Sequence, residues 1–377
     1  MKKIGILTQP LHDNYGGLLQ AYALSEILKE LGNNPIIINR RAGHSNFFRK
    51  IAFNIKQRIF PNKYTKYNLE KEERKVISKY TNGFRDKLIP NLTEEIIGTR
   101  KMRMLYKEGF SAYVVGSDQC WRPGYSPKIT NYFLDFAESE DQIKRISYAA
   151  SFGTSDWEFS PKQTKKCKRL LKKFDSVSVR EDSGVDLCLK YFEKEAQHVL
   201  DPTMLFSRDF YDKIIENEGT RKSKGNLKAY VLDKTHAKYK VIEYIESKLN
   251  LKSFEVMPKK RLGKCKPENL LDYQFPSPFE WIRGFYDAKF VIADSFHGTV
   301  FAILYNKPFI AIGNQGRGMA RFTSLLNMFG LEDRLVTDLS ISNVNNILEK
   351  KINWNMVNKV IEIKRNESIN FLKKSLQ

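Results

Sequence analysis

The chain has 377 residues, 41% hydrophobic and 28% charged, with a mean hydropathy of −0.48, a globular composition with no apolar run of the ~18 residues that a membrane-spanning helix needs. Its net charge of +21 implies an anionic partner: a phosphorylated substrate, an anionic membrane surface or nucleic acid. Four scattered cysteines (Cys120, Cys167, Cys188, Cys265) without a Cys-x-x-Cys pair argue against a zinc cluster or disulfide framework and suit a reducing, cytosolic compartment.

Met1–Thr8 is basic, but its apolar run is too short for a signal peptide. Ile4–Thr8 predicts a first strand, Gly17–Leu31 a helix ended by Gly32, and Pro35–Asn39 a second strand. From Asn46 to Asn68 come six basic residues (Arg49, Lys50, Lys56, Arg58, Lys63, Lys66) and no acidic one. Within it Phe48, Ile51, Ala52, Ile55 and Ile59 keep helical spacing. Such a helix suits either a membrane interface or a core with a solvated basic back. Strands are then expected at Ala112–Gly116, Arg145–Ala150, Ser176–Val179 and Gln197–Leu200, and the charged stretch Arg208–Gly225 reads as a linker. A second alternation follows, with strands at Ala229–Leu232, Ser253–Met257, Phe290–Ala293 and Pro308–Gly313, and helices around Tyr239–Leu249, Phe279–Asp287 and Met319–Phe329. Asn355–Leu372 is one long helical pattern. The expected fold is α/β, with two Rossmann-like domains facing across a cleft: residues 1–207 with a basic insertion at about 44–90, residues 226–350, and a C-terminal helix in 351–377.

In open α/β sheets ligands bind beyond the carboxyl ends of strands, and the loops there are rich in chemistry. His12-Asp13-Asn14-Tyr15-Gly16-Gly17 joins the first strand to the first helix; it lacks the Gly-x-Gly-x-x-Gly dinucleotide fingerprint and the P-loop lysine. Gly116-Ser117-Asp118-Gln119-Cys120-Trp121-Arg122 offers a carboxylate, an amide, an indole and a guanidinium together. Ser178-Val179-Arg180-Glu181 and Leu200-Asp201-Pro202-Thr203 end two further strands. Asp294-Ser295-Phe296-His297-Gly298 delivers a histidine, the readiest acid or base near neutral pH, to the start of an apolar helix. Gly313-Asn314-Gln315-Gly316-Arg317-Gly318 is a glycine loop entering a helix that carries Arg321.

In order and spacing, these motifs, with Ser147-Tyr148-Ala149-Ala150-Ser151-Phe152-Gly153 and Pro308-Phe309-Ile310-Ala311, resemble the polysaccharide pyruvyl transferase family over roughly residues 2–340. The resemblance implies a fold similar to B-type glycosyltransferases. It also implies transfer of the pyruvate unit of phosphoenolpyruvate to two hydroxyls of a glycan, giving a cyclic ketal, with His297 as acid/base and phosphate contact and Arg180 as a donor-binding arginine. Arginine's planar fork pairs bidentately with phosphate and carboxylate, which adds Arg317 and Arg321, on the glycine loop and the helix start after it, to the expected donor site; Gly316 and Ser295 are expected there beside them. Asp118 is the candidate base for the acceptor hydroxyl; Asn14, Tyr15, Gly16, Gly17, Gln119 and Trp121 are the expected acceptor side.

The family pattern has an arginine two residues before the histidine, where this chain has Ser295. Plainer roles stand beside these: Asp118 and Asn14 as turn or cap residues, Asp294 as a cap or as the group orienting His297, Arg180 as the buried ion-pair partner of Asp201, Trp121 as packing, and His12 and His198 as structural. No metal or other cofactor is expected beyond phosphoenolpyruvate as substrate. No specific nucleic-acid partner is expected, because the basic residues follow no recognition motif. A lipid-linked glycan acceptor and a position on the inner face of the plasma membrane would account for the positive surplus. A nucleotide-sugar glycosyltransferase on the same fold is the alternative; no clear acidic pair for a ribose marks the second domain.

Overall fold

A computed structural model of the chain describes residues 1–42, 69–140, 142–263, 266–313 and 318–377. The basic helical pattern at 46–60, and the loop residues Gly316 and Arg317, lie outside the described residues.

The first domain comprises, in chain order, β1 (Lys3–Leu7), α1 (Tyr15–Glu30), β2 (Asn34–Ile37), β3 (Arg40–Arg41), α2 (Lys71–Ile77), α3 (Lys79–Leu88), β4 (Ile96–Ile97), α4 (Gly98–Arg103), β5 (Ala112–Val115), β6 (Lys144–Ala150), α5 (Pro161–Leu171), β7 (Ser176–Val179), α6 (Asp182–Leu187) and β8 (Gln197–His198). Its main sheet is six-stranded and parallel, in the order β2-β1-β5-β6-β7-β8. β5 is buried along its whole length, the near-continuous apolar strand that a sheet covered on both faces demands.

The second domain contains α7 (Arg208–Asn217), β9 (Leu227–Tyr230), α8 (His236–Leu249), β10 (Ser253–Phe254), α9 (Pro278–Asp287), β11 (Phe290–Ala293), α10 (Phe296–Leu304), β12 (Phe309–Ile312), α11 (Met319–Phe329), β13 (Leu335–Val336) and α12 (Ile341–Glu349). Its parallel sheet runs β10-β9-β11-β12-β13. The segment expected to be a linker is the helix α7, because Tyr211, Ile214 and Ile215 form a buried stripe among its charges.

The last helix, α13 (Trp354–Leu376), returns to the first domain. There the Ser368 hydroxyl accepts from the Leu200 N–H at 3.0 Å, and Arg365 donates to the Met204 carbonyl at 2.9 Å and the Phe206 carbonyl at 3.1 Å. One hydrophobic core joins the domains: Tyr15 of α1 packs against Tyr230 of β9 and Trp281 of α9.

Candidate functional site

The carboxyl ends of both sheets face one cleft. It holds a cavity of about 580 Å³, lined from the first domain by Gln9, His12, Asn14, Asp118, Gln119 and Tyr125, and from the second by Asp294, Ser295, Phe296, His297 and Arg321. Its size is that of an ordinary small-ligand site.

His297 occupies the second position of α10, whose nine residues are all buried. Ser295 caps the helix, its hydroxyl accepting from the Gly298 N–H at 3.5 Å. The imidazole is 6% exposed and bridges the domains. On one side it rests on Gly16 of α1, where any β-carbon would overlap the ring. On the other, its Nε2 lies 3.5 Å from Asp201 Oδ2 of the first domain. Asp201 is fully buried and also binds Arg180 Nη1 at 2.6 Å; burial alone would raise its carboxyl, but His297 and Arg180 hold it well below the usual carboxylate range.

The partner of the histidine is therefore Asp201. Asp294, the carboxylate next to it in sequence, accepts from the Leu232 and Asp233 N–H groups at 2.6 and 2.9 Å and from Lys238 Nζ at 2.6 Å. It ties β11 to the end of β9.

Arg180 is buried beneath the cavity wall, its guanidinium 4.2 Å from the Phe296 ring centre. Burial works against its charge, yet Asp201, Asp118 and Glu181 make it hold its proton more firmly than a free arginine. Among the described residues its Nε and Nη2 meet no hydrogen-bond acceptor, although Nη2 lies 3.5 Å from Asp118 Oδ1. Arg321 sits 5.8 Å from the same Phe296 ring and lines the cavity directly; burial and the nearby Arg180 lower it to about 10. Phe296 thus stands between two cations, one beneath the wall and one on it.

Asp118 sits in left-handed backbone at φ 62°, uncommon outside glycine. Its Oδ1 accepts from the Gln119 N–H at 2.9 Å and its Oδ2 from the Asn14 amide at 3.5 Å, which fixes the carboxylate on the cavity wall. Asn14 reaches the cavity through this contact, while Gly16 acts by making room for His297. Gly17 lies against the Asn14 side chain.

Two expected acceptor contacts are overturned. Trp121 is completely buried, donates to the Tyr132 carbonyl at 3.0 Å and stacks on Phe133; an indole so enclosed reaches no ligand. Tyr15 is equally committed, its hydroxyl donating to the Pro276 carbonyl at 2.9 Å across the domain boundary. The aromatic on the cleft wall is Tyr125, four residues beyond Trp121 and 51% exposed. Its ring lies 4.5 Å from the Arg122 guanidinium, which Glu158 holds in turn at 2.8 Å. Sequence reading missed Tyr125, Phe296 and the Asp201–His297 contact. Only the position of Asp201 at a strand end signalled the last, and nothing local says which loops of separate domains meet.

Among the described residues, no group of three or more His, Cys, Asp or Glu is placed to hold a metal ion, and no helix is long and apolar enough to cross a membrane.

Two facing parallel domains, a ligand-sized cleft between their strand ends and a last helix crossing back define the class: the fold of B-type glycosyltransferases. Likeness to solved structures shows the same fold. UGT89C1 of Arabidopsis thaliana, complexed with UDP, is 10% identical with a TM-score of 0.54 over 100% of both chains. UDP-GlcNAc 2-epimerase of Neisseria meningitidis, bound to UDP-GlcNAc, is 11% identical with a TM-score of 0.53 over 99% of this chain and 100% of that one. The UDP-GlcNAc 2-epimerase of Methanocaldococcus jannaschii is 13% identical with a TM-score of 0.51 over 94% and 93%. Comparison with curated protein sequences found no match. The chain belongs to the polysaccharide pyruvyl transferase family, whose model matches residues 14–316, and is thus a transferase of polysaccharide biosynthesis.

Proposed function

We propose that the enzyme moves the pyruvate unit of phosphoenolpyruvate onto two hydroxyls of a glycan, closing a cyclic ketal. The observation that carries this reading is the His297–Asp201 pair beside Arg321 on the wall of the interdomain cavity. Phosphoenolpyruvate brings a phosphate and a carboxylate, and Arg321 supplies the fork for one of them. Arg180 reinforces the positive field from beneath Phe296; the expected donor residues Gly316 and Arg317 lie outside the described residues.

His297 gives its proton to the methylene carbon, which becomes a methyl group, while Asp201 steadies the imidazolium before transfer. Cationic character then develops at the central carbon, opposite the Asp118 carboxylate. A glycan hydroxyl adds there, losing its proton to Asp118. The bond from that carbon to the phosphate oxygen breaks with its electron pair going to the phosphate. The second hydroxyl adds to the same carbon to close the ring, and its proton passes to the departing phosphate, which leaves as hydrogen phosphate. Each positioned proton transfer contributes roughly 10²–10⁴-fold.

The acceptor in this reading is a lipid-linked glycan, and the enzyme attaches peripherally to the anionic inner membrane face through the basic segment 46–60. A variant with Arg49, Lys50, Lys56 and Arg58 neutralised should lose co-sedimentation with anionic vesicles; unchanged sedimentation removes the membrane role. Incubation with phosphoenolpyruvate and lipid-linked glycans, read by mass and phosphate release, tests the reaction. Thermal stabilisation by a nucleotide sugar and none by phosphoenolpyruvate would overturn it in favour of glycosyl transfer.

A further inference from the structure

The loop that follows Asp118 presents an exposed aromatic side chain to the cleft and is itself held in one conformation. Gln9, from the β1–α1 loop, donates through its side-chain amide to the Gln119 carbonyl at 2.8 Å and to the Ser126 hydroxyl at 3.0 Å. The Ser126 hydroxyl donates in turn to the Cys120 carbonyl at 2.7 Å. The Tyr125 and Ser126 N–H groups both donate to the Arg122 carbonyl, at 3.1 and 3.3 Å. Tyr125 thus stands on a closed turn, tied at both ends.

Its ring is backed on one side. The Arg122 guanidinium lies over the ring, 4.5 Å from the centre. Arg122 is clamped in turn: Nε and Nη2 donate to Glu158 at 3.0 and 2.8 Å, and Nη1 to Gln119 Oε1 at 3.1 Å. The Glu158 carboxylate makes that guanidinium hold its proton more firmly than a free arginine. Gly124, Tyr125, Ser126 and Pro127 line the cavity and Arg122 does not, so the cation covers the rear face and the other is left to the cleft. A ring already fixed in this way gives up little freedom when a ligand covers it. Tyr125 is also near enough to Arg321 to act on its charge, and Asp118 lies on the same cavity wall. A molecule resting on the ring is therefore held among the donor arginine and the candidate base.

Such a place suits a ligand with one flat apolar face and a hydroxylated rim. A pyranose has both: the carbon-bound hydrogens of one ring face are apolar, and its hydroxyls project outward, where Gln9, Asn14 and Gln119 offer amides. We propose that Tyr125, backed by Arg122, is the platform on which the acceptor's pyranose ring stacks. Calling the bound sugar the acceptor rests on the pyruvyl-transfer reading; the stacking itself does not.

The test uses the full chain with Tyr125→Ala and Tyr125→Phe, at a side chain exposed enough for substitution to leave the fold intact. The probes are the methyl pyranosides of glucose, galactose, mannose and N-acetylglucosamine, read by saturation-transfer NMR, with glucitol as the hydroxylated molecule that lacks a ring face. The parent should saturate the hydrogens of one pyranose face most strongly. Tyr125→Phe should do the same, and Tyr125→Ala should bind the pyranoside about fivefold to tenfold more weakly. Glucitol should not distinguish the three proteins, and calorimetry should give all three the same affinity for phosphoenolpyruvate. Parental pyranoside binding by Tyr125→Ala overturns the platform, as does a parent that binds none of the pyranosides. If the pyranosides bind through Tyr125 while the parent neither binds phosphoenolpyruvate nor releases phosphate from it, the transfer reading falls and the platform stands.

Discussion

Gly16→Ala isolates the placement of His297 from the stability of the fold. Gly16 is the second residue of α1, and alanine inside a helix gains about 1 kcal/mol over glycine. Yet the new methyl would lie 2.8 Å from His297 Cβ and closer still to Nδ1 and Cγ, where ordinary contact begins at 3.4 Å. The ring cannot yield on its other side, because Asp201 stands 3.5 Å from Nε2 and is itself enclosed. The start of α10 must therefore back away from the first domain by roughly 1 Å, a displacement that costs about 10²-fold when it befalls a catalytic group. Overpacking of this kind costs about 1–3 kcal/mol, partly offset by the helix gain. Gly16→Ala should thus unfold within a few degrees of the parent while its kcat for pyruvyl transfer drops about a hundredfold. Gly83→Ala, inside α3 and with no atom within 4 Å of the new methyl, is the control and should change kcat little. Steady-state phosphate release and thermal melts on the three proteins decide the matter. A Gly16→Ala enzyme turning over at the parental rate would refute the placement of His297 at the reacting atoms.

Arg321→Lys keeps a charge but loses the planar fork, so it should weaken phosphoenolpyruvate binding about tenfold or more by calorimetry; undiminished affinity would remove Arg321 from the donor site. Asp201→Asn leaves Arg180 buried without its closest counter-ion and should cost about 3–5 kcal/mol in urea unfolding. Because the Asp201 carboxyl sits lower in the folded protein than its unfolded value of about 3.9, its stabilisation is complete above that pH and is lost as the pH falls below it. The parent's urea midpoint should accordingly drop below about pH 4, and the variant's acid limb should be shallower; parallel limbs would contradict this. Lys228 is fully buried among aromatic rings, its Nζ 4.6 Å from the Phe285 centre, and burial lowers it to about 7. Its folded pKa lies below the unfolded one, so its contribution declines as the pH falls from about 10 toward 7. Lys228→Met should therefore unfold at higher urea at pH 7, by about 1–4 kcal/mol; a less stable variant would mean that the rings hold the cation favourably.

The two sheets were legible because their central strands are short, uninterrupted apolar runs, as at Phe290–Ala293, and because strands alternate with helical periods. Arg208–Asn217 was misread because its charged residues outnumber the buried stripe at Tyr211, Ile214 and Ile215. At the site, the loop motifs lie at strand ends that meet in one cleft: His297, Asp118, Gln119, Asn14 and Arg321 all line the cavity. What one sequence withholds is direction and partnership. Trp121 and Tyr125 share one loop, and only packing decides that the first turns into the core and the second to the cleft. Asp294 adjoins His297 in the chain, yet Asp201, nearly a hundred residues earlier, is its partner because the domains close on each other.

The polypeptide passes between the lobes twice, once near Phe206 and once before Trp354, and α13 is pinned to the far lobe after the second passage. Two neighbouring crossings act as the knuckles of a door: the lobes can swing about the line joining them but cannot slide or twist freely. Any such swing would break the His297–Asp201 contact and the Gly16 seat in the same stroke, so the two contacts stand or fall together.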